Sequence, residues 1–250
     1  VDFYSDCLKR IVTFQAVLPN DVPPMWITDN PHFQRRPRNL YLLHGFSGTC
    51  TDWINSSQIV DLANQYNLAV ICPGGENGFY LDSDATGRKY ASFTGEELPR
   101  YVQKTFGLLE KAEDNYIGGL SMGGFGAIHT ALLYNHRFSK AFGLSSALIQ
   151  HDIENMKPGE SNEVANYEYY AQVFGDLEQM DENPNNPEVL VRQLKENNEK
   201  IPGLYLACGT EDGLCKNNRD FRYFLEKEQV PFTYQESPGV HNWTFWNQYL

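Results

Sequence analysis

Gly119-Leu120-Ser121-Met122-Gly123 sets one serine between glycines two positions before it and two after. The apolar "NYI" precedes this stretch and "GFGAIHTALL" follows it, so the serine stands where a strand gives way to a helix. A serine on such a turn can attack a carbonyl carbon. The glycines are what the turn needs, because a Cβ at either position would strike the neighbouring strand or helix. A serine hydroxyl is a weak nucleophile at neutral pH. It requires a base to take its proton and a carboxylate to hold that base in the right tautomer.

Six histidines are available. His241, in "SPGVHNWTFW", follows the last expected strand and is the candidate base. His129 and His136 belong to the helix behind Ser121 and point along it. His44 is committed to shaping its own glycine loop, and His32 and His151 lie in polar surroundings outside the sheet. For the acid, "LACGTEDGL" supplies Asp212, with Glu211 as the alternative. The chain order is then Ser, Asp, His. Attack on a carbonyl also needs two N–H donors for the developing oxyanion. Met122, next after the serine, supplies one. Phe46, between Gly45 and Gly48 after the run "LYLLHG", is expected to turn its amide inward as the second.

The elements that must position these groups alternate. "CLKRIVTFQAV" from Cys7 to Val17 reads as an opening strand, followed by a turn at "PNDVPP". "NLYLLHG" and "LAVICPGG" are continuous apolar runs of the kind buried on both faces of a sheet, and "SQIVDLANQYN" between them has helical spacing. "TGEELPRYVQKTFGLLEK" reads as a helix capped by Thr94 and Glu97. "NYIGG" and "AFGLSS" are further strands around the helix that follows Ser121. After the break at 151–200 come "GLYLACG", a helix around Phe221 to Leu225, and a strand at "PFTYQES". Repeated strand and helix predicts a mostly parallel sheet with helices on both faces.

Residues 151–200 break that rhythm and hold twelve Asp/Glu against four Lys/Arg. Val164, Tyr167, Ala171 and Phe174 fall on one stripe, and Asn186 with Pro187 opens a helix, so this stretch predicts a helical cap inserted into a single domain spanning 1–250. Tyr167, Tyr170 and Phe174 are its candidates to touch substrate.

With 250 residues, 41% of them hydrophobic, the chain can bury a large core. Its net charge of −12, with no Lys/Arg cluster, argues against nucleic acid or an anionic membrane surface and favours small neutral or cationic partners. The five cysteines are scattered without CxxC spacing and read as reduced thiols, not a disulfide framework or a metal site. No apolar run is long enough to span a bilayer and the start is no signal peptide, so a cytoplasmic location is expected, or a secreted one if a leader has been removed.

"LLHGFSGTCTDW", "GGLSMGGFGA", "CGTEDGL" and "GVHNWTFW" together resemble the esterase D and S-formylglutathione hydrolase group of α/β-hydrolases. They are closest to its tributyrin esterase and feruloyl/acetylxylan esterase branch, carbohydrate esterase family 1. The likeness extends over nearly the whole chain. It implies an α/β-hydrolase fold with Ser121 as nucleophile, Asp212 as acid, His241 as base, and the amides of Phe46 and Met122 as oxyanion hole. It also implies a metal-free, cofactor-free serine carboxylesterase for short-chain acyl esters, sugar acetates included. The alternatives are a feruloyl or cinnamoyl esterase, an acyltransferase, or an S-formylglutathione hydrolase. Members of the last kind carry a histidine where this chain has Phe125, a departure that weighs against the thiolester role. Trp53, Phe79, Tyr80 and Trp243 are expected to frame the substrate pocket, and the reading admits a homo-oligomer.

Overall fold

The computed structural model describes residues 1–19 and 22–250. Asn20 and Asp21 of the expected "PNDVPP" turn lie outside the described residues. Among the described residues an eight-stranded sheet organises the chain: β1 (Asp2–Ser5), β2 (Arg10–Val17), β3 (Arg38–Leu43), β4 (Leu68–Pro73), β5 (Asn115–Leu120), β6 (Lys140–Leu144), β7 (Gly203–Gly209) and β8 (Phe232–Ser237). The spatial order is β1-β2-β4-β3-β5-β6-β7-β8. β1 and β2 pair antiparallel and β2 meets β4 antiparallel, while every pairing from β4 through β3 to β8 is parallel. β3 and β4 are buried almost along their length, which is why their sequences are unbroken apolar runs.

The parallel strands are joined by α1 (Ile59–Tyr66), α2 (Leu98–Phe106), α3 (Met122–Leu133), α4 (Tyr167–Phe174), α5 (Pro187–Glu196) and α6 (Cys215–Lys227), and α7 (Trp243–Tyr249) follows β8. One core cluster, including Phe14, Tyr41, Ile117, Phe125 and Phe221, fills one side of the sheet. On the other side Leu40, Leu42, Val70, Trp53, Phe245 and Trp246 form the second. This is the architecture of the α/β-hydrolase fold.

Three local expectations are corrected. The opening strand is two strands, with Cys7, Leu8 and Lys9 in the turn between them and Lys9 in the left-handed region at φ 54°. Thr94 caps nothing. Tyr90–Ser92 is already helical and runs through a π-helical turn, Phe93–Glu97, into α2, and the Thr94 hydroxyl donates back to the Tyr90 carbonyl at 2.8 Å. The Glu97 carboxylate instead accepts from the backbone of Asp6 and Cys7 and from the Ser5 hydroxyl, tying the β1–β2 turn to the helix. In the 151–200 stretch Val164 is exposed and outside the helix. The buried stripe of α4 is Tyr170, Val173 and Phe174. α5 does begin with the Asn186 side chain accepting from the Glu188 N–H and with Pro187 in its first turn. Only the first half of this segment overhangs the carboxyl edge of the sheet. α5 packs beside α3 as one of the covering helices.

Candidate active site

β5 ends at Leu120, and Ser121 follows with φ 53° and ψ −122° before α3 begins at Met122. A left-handed φ at a residue with a side chain is costly and persists only where the surroundings enforce it. Here they do. The Ser121 N–H donates to Leu144 of β6 at 2.9 Å and its carbonyl accepts from Phe125 and Ala147. A Cβ on Gly119 would lie 2.1 Å from the Gly123 carbonyl oxygen, and one on Gly123 would lie 2.2 Å from that of Leu43. Both glycines are therefore demanded by backbone, which no rotamer change can relieve.

Asp212 comes from the turn after β7, where its N–H donates to Gly209 at 3.2 Å. The His241 Nδ1–H donates to Asp212 Oδ2 at 2.8 Å, and Asp212 Oδ1 accepts from the Leu214 N–H at 2.8 Å. The Asp212 side chain is 1% exposed. Burial pushes its carboxyl up, but the hydrogen bonds from His241, the Leu214 N–H and the Ser145 hydroxyl outweigh that and hold it below the ordinary aspartate value. With Nδ1 engaged, neutral His241 presents Nε2 as its free basic nitrogen. Glu211, the alternative acid, turns the other way, accepting from the Gly239 N–H and the Thr210 hydroxyl.

The loop after β3 is held by His44. The Gly75 N–H can only donate, so His44 Nε2 accepts it at 2.8 Å, and the proton sits on Nδ1, 2.7 Å from the Gly45 carbonyl. Burial, offset in part by that carbonyl, lowers its pKa and keeps the ring neutral. A Cβ on Gly45 would come 2.9 Å from Leu120 Cδ1, the end of a side chain that can move aside, so close approach alone does not demand glycine there. The left-handed residue of the loop is Ser47, not a glycine, at φ 63°, with its N–H held by Asn77 Oδ1 at 2.8 Å. Met122 opens α3, so its N–H lacks an intrahelical partner.

Six of the expected residues line one cavity of about 570 Å³: Phe46, Phe79, Ser121, Met122, Asp212 and His241. Three do not line it. Trp53 is buried on the far side of β3, its indole N–H donating to Leu43 at 3.1 Å, because α-helical Asp52–Ser56 turns it into the core. Trp243 stands edge-on to Trp53 at 5.2 Å and to Trp246 at 5.2 Å. Tyr80 is wholly buried, with its hydroxyl donating to the His44 carbonyl at 3.1 Å. Phe79 and Tyr80 both adopt positive φ, at 50° and 57°, and this reversal sends one ring to the cavity and the next beneath the loop. Of the cap candidates, only Tyr170 lines the cavity. Phe125 lies behind it, against Phe79, Phe174 and His129, so its identity reaches a substrate only indirectly, through Phe79 or through Phe174 and Tyr170. A larger cavity of about 780 Å³ lies at the amino ends of β5 to β8. It is lined by Tyr116, Lys140, Phe142 and Tyr205 among others, with no serine, histidine or acidic side chain, and so offers none of the chemistry.

Two contributors, Ser145 and Tyr169, escape a reading of the sequence. The Ser145 hydroxyl, at the end of β6, accepts from the Trp246 indole N–H at 3.1 Å, and the Trp246 ring stands edge-on to His241 at 5.0 Å. Tyr169 donates its hydroxyl to the Asn77 carbonyl and packs edge-on against Phe46 at 6.0 Å. The available signal was the polar pair Ser145-Ser146 closing an otherwise apolar strand at the sheet's carboxyl edge. Nothing in the sequence marked Tyr169.

A serine on a strained turn, facing a cavity shared with a carboxylate-bound histidine, is the arrangement of groups that acyl transfer to serine requires. The Esterase family model matches residues 5–250. An acetyl esterase of Caldicellulosiruptor saccharolyticus is 40% identical over 250 residues, covering 100% of this chain and 94% of that protein. Among solved structures, a fluorophosphonate-binding serine hydrolase of Staphylococcus aureus superposes with a TM-score of 0.83 at 28% identity, covering 100% of this chain and 93% of that one. An S-formylglutathione hydrolase from the same organism gives 0.81 at 28% identity, with the same coverage. A ferulic acid esterase at 20% identity, TM-score 0.74, covering 100% of this chain and 92% of that one, shares the fold. The chain belongs to this esterase family and is a carboxylic ester hydrolase.

Proposed function

We propose that the chain hydrolyses short-chain acyl esters, acetyl esters foremost, through an acyl-serine intermediate. The observation that carries this is Ser121, held at φ 53° on the strand-to-helix turn and opening into the same cavity as His241 and its buried partner Asp212. Ser121 attacks the ester carbonyl and His241 Nε2 takes its proton. The amides of Phe46 and Met122 receive the oxyanion, and His241 returns the proton to the leaving alkoxide. Water, activated by the same histidine, then releases the acid. Asp212 holds His241 in the Nδ1–H tautomer and faces the imidazolium that forms. The acetyl esterase relative supports the acyl class.

The test is Ser121→Ala on p-nitrophenyl acetate and butyrate. Turnover is expected to fall by several orders of magnitude, to the residual rate the oxyanion donors alone can sustain, with the circular dichroism spectrum unchanged, and retention of most activity would remove Ser121 from the reaction. A second reading, aromatic acyl esters such as methyl ferulate, is favoured by one feature. The cavity of about 570 Å³, walled by Phe46, Phe79, Ile153 and Leu214, has more apolar room than an acetyl group fills. Turnover of methyl ferulate at a kcat/KM matching that of p-nitrophenyl acetate would establish it.

A further inference from the structure

The cavity that holds Ser121 contains three carboxylates, Asp152, Glu163 and Asp212, and no lysine or arginine lines it. The three are not equivalent. Asp212 is committed to His241, and Asp152 is exposed at the mouth with its carboxylate accepting from Asn217 Nδ2 at 2.6 Å. Glu163 is exposed and, among the described residues, enters no ion pair within 4.0 Å.

The position of Glu163 is built. Ser161 and Asn166 bridge across the turn that carries it. The Asn162 side-chain oxygen accepts from the N–H groups of Val164 and Ala165 at 2.9 and 3.0 Å and from the Tyr170 hydroxyl at 3.2 Å, anchoring the turn to α4. The nearest basic residue along the chain, Lys157, is engaged with Glu178 at 2.8 Å. Two cations lie near Asp152, and each is matched by carboxylates: His151 sits between Glu188 at 2.8 Å and Glu154 at 3.3 Å, and Lys216 pairs with Asp220 at 2.6 Å. Beyond them the surrounding segment and the whole chain are acidic, so the balance at the mouth stays negative.

Resting on the site assignment above, we propose that Glu163, seconded by Asp152, makes the mouth of this cavity a charge filter. Esters that are uncharged or cationic enter, and esters bearing a carboxylate near the reacting group are turned away. Unit charges about 8 Å apart in a largely aqueous medium shift an encounter by roughly twofold to fivefold each, and salt screens the effect. Two fixed carboxylates therefore discriminate by about tenfold at low ionic strength. Glutathione thiolesters, which carry carboxylates on the leaving group, fall on the excluded side, and neutral sugar acetates fall on the accepted side.

The experiment uses three aryl acetates of nearly equal size: meta-tolyl acetate, meta-acetoxybenzoate and meta-acetoxyphenyl trimethylammonium. Each kcat/KM is divided by the hydroxide-catalysed rate of the same ester to remove leaving-group reactivity. At an ionic strength of about 0.02 M the anion is expected about tenfold below the neutral ester and the cation at or above it. The gap should close to about twofold in roughly 0.5 M sodium chloride. Glu163→Gln should raise the anion-to-neutral ratio by about threefold, and adding Asp152→Asn should raise it further. An anion-to-neutral ratio near one in low salt would overturn the filter, as would a low ratio that neither salt nor Glu163→Gln moves. Failure to hydrolyse meta-tolyl acetate at all would instead overturn the site assignment, and the filter with it.

Discussion

Ser121 could not hold its conformation without the two glycines beside it, and the contact distances say what each one does. A methyl group on Gly123 would meet the Leu43 carbonyl and one on Gly119 the Gly123 carbonyl, backbone in both cases. Gly123→Ala is therefore expected to cost about 2 to 3 kcal/mol in urea denaturation, the scale of a forced overpacking, and to lower kcat more than a hundredfold as the turn shifts. Asp212→Asn tests a different link. The amide can offer its N–H to Nδ1 and favour the wrong tautomer of His241, so kcat should fall by about three to four orders of magnitude while KM changes little. Ser145→Ala should lower kcat by a smaller factor, because Ser145 acts on the reaction only through its hydrogen bonds to Asp212 and to the Trp246 indole. That Ser121, Asp212 and His241 come together in one cavity was legible because a strand end, a helix start and a fixed chain order constrain them together. Trp53, Tyr80 and Trp243 were not, because closeness in sequence to a loop does not say which face of that loop a ring takes.

At the scale of elements, strands were read more faithfully than helix ends. β7 coincides with "GLYLACG" because a strand buried in mid-sheet is apolar throughout and bounded by glycine. The Thr94-to-Glu97 pattern has the composition of a cap, yet the chain is already helical there. The glutamate is recruited by the β1–β2 turn, a tertiary contact about ninety residues away in sequence. The overhang was legible as an acidic, helical interruption but not in its attachment. Tyr169 supplies that, joining α4 to both the Phe46 loop and Asn77. Tyr169→Phe loses one hydrogen bond and should reduce kcat/KM by about twofold to fivefold. Tyr169→Ala also frees the Phe46 ring, and should reduce it by at least about tenfold, read from Michaelis curves on p-nitrophenyl butyrate.

For the whole molecule, two histidines outside the reaction shape how stability depends on pH, and they act on opposite sides of neutrality. His129 is buried in α3, its Nε2–H donating to the Pro184 carbonyl at 3.0 Å, with Nδ1 unpartnered. Burial lowers its pKa to about 4. The unfolded chain takes up a proton near pH 6.5 that the folded chain refuses until about 4. Stability therefore falls with falling pH across that interval, by about 1.4 kcal/mol per pH unit. His151 behaves oppositely. Its hydrogen bond to Glu188 at 2.8 Å, with Glu154 on the other ring nitrogen, raises its pKa to about 9. Its stabilisation is complete below pH 6.5 and is lost as pH rises toward 9. The ring is partly exposed, so the alkaline limb is the shallower one. Together these two groups place a stability maximum near pH 6.5. Melting temperatures measured from pH 4.5 to 9.5 should show it. His129→Gln, whose amide can still donate toward Pro184, should flatten the acid limb alone, and His151→Gln the alkaline limb alone. An acid slope that survives His129→Gln would assign that proton uptake to another group.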